Sequence, residues 1–321
     1  MVDNVAGRVT TVRMLAAIPF PDISPVIFTI TLLGFSFSLR WYALGYIVGI
    51  VIGWWVAVQA TRRVSLWRND TPPLSRDQIE DLLTWVIIGV IAGGRFGYVL
   101  FYGGGQFADD PMSIFRVWDG GMSFHGGFIG VCVAVIVCAR RYGADLGDVA
   151  NILALTATPA IFLVRIANFI NAELWGRATD LPWGVKFPSM CYDPARQLCE
   201  AAGEWFYYGN EPTRHPSQLY EAGLEGLLLG AIIMVLAFKR GWLKRRWSLV
   251  AVFLMGYGLS RFAVEFVRQP DVQFTSPENP IGWAYDFGTW GLTQGQALSL
   301  PMILGGLIVI LLTWRKSHHP T

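Results

Sequence analysis

Asp119-Gly-Gly-Met-Ser-Phe-His-Gly-Gly-Phe-Ile-Gly130 sets one histidine, His125, between the glycine pairs Gly120-Gly121 and Gly126-Gly127. It then runs straight into the apolar residues 128–139. A titratable imidazole at the mouth of a membrane-length segment is costly to place, and such groups read as functional by default. Glycine backbone on either side lets a ligand approach closely. A second reading is a glycine-rich helix entry with one satisfied histidine. This stretch alone leaves both open.

The rest of the chain agrees that the solvent is lipid. Of 321 residues, 53% are hydrophobic and only 15% are charged, whereas soluble domains run nearer a quarter charged. Fourteen tryptophans point the same way. The net charge of +2 carries no nucleic-acid signal, because the basic residues fall in short blocks between apolar runs. Cys132 and Cys138 lie within an apolar run and read as packing residues. Cys191 and Cys199 lie in a polar stretch, where an oxidising compartment would let them pair, but spacing cannot settle that. The short apolar piece after Arg13 is broken by Pro19, Pro21 and Pro25, which does not suit a cleavable signal.

These runs predict an all-α integral membrane protein of seven transmembrane helices. Residues 1–40 form a leader and an apolar piece, 22–40, that is broken by Pro25 and Gly34 and could lie in the interface. Residues 41–172 hold spans at about 41–60, 79–102, 128–141 and 149–172, with the histidine motif before the third. A polar segment covers 173–216. Residues 217–321 hold spans at about 217–238, 248–267 and 296–314 and a basic tail. Each span matches a bilayer core of about 30 Å. Gly45, Gly49 and Gly53, and Gly89, Gly93 and Gly97, form small-residue ridges that let membrane helices approach closely. Lysine and arginine cluster after the first, third, fifth and seventh spans, so those ends stay cytoplasmic. The amino terminus and residues 173–216 are then outside, and the carboxy terminus is inside.

Ionisable groups within the spans are the chemistry-bearing candidates. Tyr257, Arg261 and Glu265 recur every four residues and share one helix face; Arg261 and Glu265 could simply neutralise each other. Arg165 has no acid three or four residues away, and Asn168, Asn171 and Glu173 follow it towards the outer end. Arg95 is flanked by glycine and aromatic residues, which leaves Glu221 or Glu225 as candidate ion-pair partners. Gln218, Glu221 and Glu225 form a further stripe on the fifth span. Arginines gathered near one leaflet favour an anionic headgroup, which guanidinium clamps with paired hydrogen bonds. No His/Cys/Asp cluster has metal-ligand spacing, His318-His319 look incidental, and no cofactor is implied. A transporter would also need buried charges near its midplane, but no matching pair of Gly/Pro-broken spans occurs. A non-catalytic lipid-binding scaffold is the other rival.

Seven ordered stretches carry a resemblance: RWYALGYIVG (40–49), GGRFGYVLFY (93–102), FRVWDGGMSFHGG (115–127), RIANFINAELWGR (165–177), RHPSQLYEAGLEG (214–226), GYGLSRFAVEFVRQPD (256–271) and GQALSLPM (295–302). Together they resemble the prolipoprotein diacylglyceryl transferases, membrane enzymes of the bacterial inner membrane. The resemblance runs from about residue 23 to 314; residues 1–20 and 178–211 match no family pattern. It implies transfer of the diacylglyceryl group of phosphatidylglycerol to the lipobox cysteine of a preprolipoprotein signal peptide, with release of glycerol 1-phosphate. It also implies His125, Arg165 and Arg261 as catalytic residues. Tyr42, Asn168, Glu173 and Glu265, with Arg165, are implied to bind substrate; Asn171 and Tyr257, which lie along the same helices as Arg165 and Arg261, are read as further substrate-binding residues. On this reading His125 is either a general base towards the thiol, as histidine suits, or a hydrogen-bond donor to the phosphate.

Overall fold

The computed structural model describes residues 17–21, 23–32, 34–103, 107, 110–188, 212–270 and 272–316. The leader to residue 16, residues 189–211 with Cys191 and Cys199, and His318-His319 lie outside them. Among the described residues seven helices are long and apolar enough to cross a bilayer. They are α1 (Trp41–Arg62), α2 (Arg76–Tyr102), α3 (Phe124–Arg141), α4 (Leu146–Ile170), α5 (Ser217–Lys239), α6 (Ser248–Glu265) and α7 (Gln294–Lys316). All seven agree with the expected spans to within a few residues.

Local chemistry explains where they start. Ser75 and Gln78 form a reciprocal capping box at α2, the Ser123 hydroxyl accepts from the Gly126 amide at α3, and Asp145 accepts from the amides of Gly147 and Asp148 at α4. Each satisfies amides that the helix itself leaves open. Buried side chains such as Leu155, Ile233 and Leu249 form the interior, while Ile47, Phe96, Leu227 and Leu311 point outward. An apolar outer surface is what a lipid solvent asks for.

Glycine ridges set the helix pairing. A Cβ at Gly49 would lie 2.5 Å from the Ala160 Cα, and one at Gly226 would lie 2.6 Å from the Phe162 Cα, so α4 is clasped between α1 and α5. Likewise a Cβ at Gly89 would lie 2.5 Å from the Gly130 carbonyl oxygen. Gly126 and Gly130 therefore seat α3 against α2; around His125 the glycines on the helical side serve packing. Side chains at these points would force the backbones apart.

The expectation of an all-α protein needs a correction, because the described residues also form three two-stranded pairings. β1 (Ile18–Pro19) lies parallel to β4 (Val185–Lys186), β2 (Val26–Leu32) antiparallel to β3 (Phe35–Arg40), and β5 (Tyr285–Asp286) antiparallel to β6 (Gly291–Leu292). The chain is mostly helical. The β2–β3 hairpin follows from alternation: phenylalanine, isoleucine and leucine alternate with threonine and serine, a period of two that suits a strand and not a helix. Gly34 turns between them at φ +82°. The β1–β4 pair is packed on a small core of Phe20, Ala172, Val185 and Phe187 at the end of α4.

Gly89→Leu should destabilise the protein by at least about 1–3 kcal/mol, the usual cost of overpacking. Gly305→Ala, whose Cβ would meet nothing within 4 Å, should leave it unchanged or slightly stabilised. Thermal unfolding in detergent distinguishes the two.

Candidate active site

Each crossing reverses the chain, so the ends of α2, α4 and α6 and the starts of α1, α3, α5 and α7 meet on one side. The ionisable residues within the spans concentrate there. Glu221, on the first turns of α5, is fully buried and meets three arginines. Its Oε2 lies 3.1 Å from Arg165 Nη1 on α4. Its Oε1 lies 3.1 Å from Arg268 Nη1 and 3.8 Å from Arg261 Nη1. Glu225, also fully buried, lies 3.3 Å from Arg165 Nη2. Arg261 is paired with Glu265 one turn along α6.

Residues 222–228 of α5 wind as a π-helix immediately after Glu221. Such wide turns occur mostly as single insertions and often mark functional sites. Here the segment carries Glu225 beside Glu221, so that both carboxylates reach the same guanidinium. Gly295 lies in the first turn of α7, where a Cβ would sit 2.6 Å from Glu265 Oε2. Glu265 thus faces a helix amino terminus, an electrostatically favourable seat for a carboxylate. A cavity of about 180 Å³ opens beside it, lined by Arg261, Glu265, Arg268 and Gln294.

Three guanidiniums therefore meet three carboxyls, and the two sets differ in depth. The Glu221 and Glu225 side chains are 0% exposed, those of Arg165 and Arg261 are 17% and 19% exposed. The acids stand behind the bases. Arg165 donates one hydrogen bond to a glutamate, from Nη2 to Glu225 Oε2, and meets Glu221 as an ion pair, so most of its five N–H donors are not committed to the glutamates.

Beyond the arginines, Asn168 Nδ2 donates to Glu173 Oε1 at 2.7 Å, and Asn171 Nδ2 donates to the same oxygen at 3.4 Å. The Gln218 amide donates to the Glu173 carbonyl. Ala172 and Leu174, on either side of Glu173, take left-handed backbone angles at φ +50° and +59°. Non-glycine residues adopt these rarely, and here they turn the chain sharply out of α4. Tyr42 shares a hydrogen bond of 3.4 Å with Tyr46, and Tyr46 lies within electrostatic reach of Arg165 and Glu173. Tyr257 lies within reach of Arg165, Glu225 and Arg261. Just outside the span, burial pushes the His215 imidazole below the ordinary histidine range; it hydrogen-bonds to Tyr220.

The structure thus gathers Arg165, Asn168, Asn171, Glu173, Tyr257, Arg261 and Glu265, and reaches Tyr42 through Tyr46. His125 stands apart from this network. It lies in the first turn of α3, exposed, with its ring edge-on to Phe124 at 5.8 Å.

Arg95 is corrected. It forms no ion pair with Glu221 or Glu225, which are turned to Arg165. Instead its guanidinium donates to backbone carbonyls of the loop before His125: Ile114 at 2.8 Å, Gly121 at 3.1 Å, and those of Ser113 and Gly120. The sequence left Glu221, Glu225 and Tyr46 without an assigned role and passed over Arg268. A signal existed for Arg268, since 261, 265 and 268 continue one helical face.

With this geometry in place, relationships to known proteins become informative. The family model described as "Prolipoprotein diacylglyceryl transferase" matches residues 25–312. The chain belongs to this family. It is 54% identical over 297 residues to a phosphatidylglycerol–prolipoprotein diacylglyceryl transferase of Roseobacter denitrificans, covering 92% of this chain and 98% of that one. It is 53% identical over 298 residues to one of Ruegeria pomeroyi (93% and 98%), and 46% identical over 311 residues to one of Caulobacter vibrioides (94% and 96%). Every residue of the arginine–glutamate cluster lies inside the stretch that matches the prolipoprotein diacylglyceryl transferase family.

Removing Glu221 should be far worse than neutralising a surface acid. Glu221→Ala removes the carboxylate shared by three guanidiniums and takes from Arg268 its carboxylate partner, and breaking a buried pair costs about 3–5 kcal/mol. Chemical or thermal unfolding in detergent should show that loss. Arg95→Met should speed hydrogen exchange across residues 113–121 and leave exchange around Arg165 unchanged.

Proposed function

We propose that the chain transfers the diacylglyceryl group of phosphatidylglycerol to the thiol of a lipobox cysteine in a preprolipoprotein. The product is a thioether-linked lipid, and glycerol 1-phosphate leaves. The observation that carries this reading is the pair of partly exposed guanidiniums, Arg165 and Arg261, backed by buried carboxylates at one end of the spans. Membership of the prolipoprotein diacylglyceryl transferase family supplies the reaction class.

The reaction is a substitution at the glycerol carbon that bears the phosphate. A sulfur–carbon bond forms, a carbon–oxygen bond breaks, and the electron pair of that bond leaves on the phosphate oxygen. Arg165 and Arg261 hold the phosphate and stabilise its growing charge. In a water-poor site such directed donors are worth far more than in solution. Because the cluster is already balanced, the phosphate is held by directed N–H groups and not by a net positive field. That suits a site which must release an anionic product after each turnover.

The attacking species is a thiolate, and a free thiol titrates near 8.5. His125 takes the thiol proton; a histidine without a hydrogen bond to the cluster is free to meet an incoming peptide. Glu265 and Glu173 act by positioning: Glu265 orients Arg261, and Glu173 holds Asn168 and Asn171 towards the headgroup. Tyr42 and Tyr257 flank the same region. The displacement asks for neither metal nor cofactor. Transferring two acyl chains at once is physically apt, since one chain anchors a protein only marginally and two hold it stably.

The protein resides in the bacterial inner membrane, with its amino terminus and residues 173–216 on the periplasmic side and its carboxy terminus in the cytoplasm. Basic residues support this orientation. They crowd the end opposite the site, where Arg68 pairs with Asp148 and Arg246 with Asp145. That is the arrangement expected of cytoplasmic loops. The lipid substrate then meets the site from the outer leaflet.

Transfer of label from phosphatidylglycerol to a lipobox peptide, with a cysteine-free peptide as control, tests the reading. Label should reach the cysteine peptide alone. Arg165→Ala should lower kcat/KM by about 10²–10³-fold, and His125→Gln should abolish transfer while lipid still binds. Near-normal transfer by Arg165→Ala at saturating lipid would remove the phosphate-clamp role. Activity in His125→Gln with only a shifted pH profile would remove the base.

A further inference from the structure

The β2–β3 hairpin is unlike the rest of the outer surface, and the transfer chemistry leaves it without a task. Its register places Phe28 opposite Leu39, Ile30 opposite Phe37 and Leu32 opposite Phe35. Successive pairs alternate between faces. All six of these apolar side chains therefore share one face. On the other face Thr29 is hydrogen-bonded to Ser38 at 2.8 Å, and Thr31 to Ser36 at 3.0 Å. The apolar face is bare: Leu32 is 69% exposed, Phe35 83% and Phe37 67%.

Two constraints decide what covers it. A two-stranded hairpin with nothing packed on it is marginal in water, and among the described residues no third strand joins it. Its outer edges also carry open backbone amides and carbonyls, which the hydrocarbon core cannot satisfy. The first constraint demands an apolar partner and the second forbids deep burial. The boundary between headgroups and acyl chains meets both.

The hairpin is also tied to that boundary. β3 ends at Arg40 and α1 begins at Trp41 with no linker. The Trp41 indole donates to the Ser24 carbonyl at 3.0 Å, and the Trp41 amide donates to the Pro25 carbonyl at 3.2 Å. The hairpin base is thereby fixed to the first turn of a membrane-spanning helix. Six residues of strand reach about 20 Å, well beyond the headgroup layer if the hairpin stood upright. It has to lie along the surface to keep its apolar face covered.

We propose that the β2–β3 hairpin is a membrane-surface paddle, lying flat on the lipid with Phe28, Ile30, Leu32, Phe35, Phe37 and Leu39 in the headgroup–acyl boundary and its hydroxyl face towards water. The partner is the bilayer itself. One residue separates the hairpin from Tyr42, so the paddle fixes the height of the site's first tyrosine relative to the headgroup plane.

Single-cysteine variants at Ile30, Phe37, Thr31 and Ser36, in a chain with its four native cysteines replaced, test this in proteoliposomes. Each is labelled with an environment-sensitive fluorophore and quenched separately by iodide, by lipid with a doxyl group near the headgroup, and by lipid with one near the chain end. Circular dichroism and transfer activity report that each variant is folded. Ile30→Cys and Phe37→Cys probes should be quenched several-fold more by the shallow doxyl lipid than by the deep one, and weakly by iodide. Thr31→Cys and Ser36→Cys probes should show the reverse preference for iodide. Three results overturn the proposal. Equal iodide quenching on both faces would mean that the hairpin stands in water. Stronger quenching by the deep lipid would mean that it inserts. Shielding of Ile30→Cys and Phe37→Cys from all three quenchers would mean that a protein surface, a second copy or a peptide, covers it instead.

Discussion

The Glu221 carboxylate, fully buried between Arg165, Arg261 and Arg268, is the interaction around which one end of the bundle is arranged. It joins α4, α5, α6 and the start of the loop after α6 through one side chain. Removing charges from water costs several kcal/mol per ion, and a well-packed apolar cluster would be as stable or more so. Stability alone therefore gives no reason for three arginines and three glutamates here. Their arrangement by depth does: the acids are sealed in, and the bases keep donors facing outward. A guanidinium held from behind is pre-oriented, so under the proposed function an arriving phosphate meets donors whose geometry is already set.

That cluster depends on helices that come unusually close. Gly49 against Ala160 and Gly226 against Phe162 bring α1 and α5 onto opposite sides of α4. The same principle seats α3 on α2 through Gly89 and Gly130. In lipid the hydrophobic effect does not drive helices together, so tight backbone contact and polar pairing take its place. Around His125 the glycines consequently do two jobs. Gly126 and Gly130 let α3 dock, while Gly120 and Gly121 offer the carbonyls that Arg95 gathers. Arg95 therefore acts on the backbone leading to the histidine and takes no part in the arginine–glutamate cluster.

Family membership and geometry limit each other usefully. The family and its members' names give a lipid, a prolipoprotein and a group transfer. On the proposed reading those tasks are distributed: anion-holding donors at Arg165 and Arg261, positioning carboxylates at Glu221, Glu225 and Glu265, and a separate, accessible imidazole at His125. The base proposed at His125, not bonded to the arginine–glutamate cluster, suits a reaction with two substrates, because each can meet its own residue.

Much of this was legible in the residues themselves. Twenty-residue apolar runs, glycine ridges at four-residue spacing and the bias of lysine and arginine specify seven spans, since a bilayer admits few other solutions. Arg261 with Glu265, and Arg165 with Asn168, were visible as single helix faces, because helical periodicity is local. The partners of Arg165 and Arg95 were not. Glu221 and Glu225 lie 56 and 60 residues beyond Arg165 in the chain, and only packing of α5 on α4 decides which arginine they face. The hairpin at 26–40 was hidden for another reason: its alternation is a strand signal placed where membrane composition favours helix. Sequence determined the spans and the inventory of charges, because hydrophobicity and helical period act over short range. Tertiary structure alone decided which charges meet, because burial leaves each ion to be satisfied by whatever helix lies beside it.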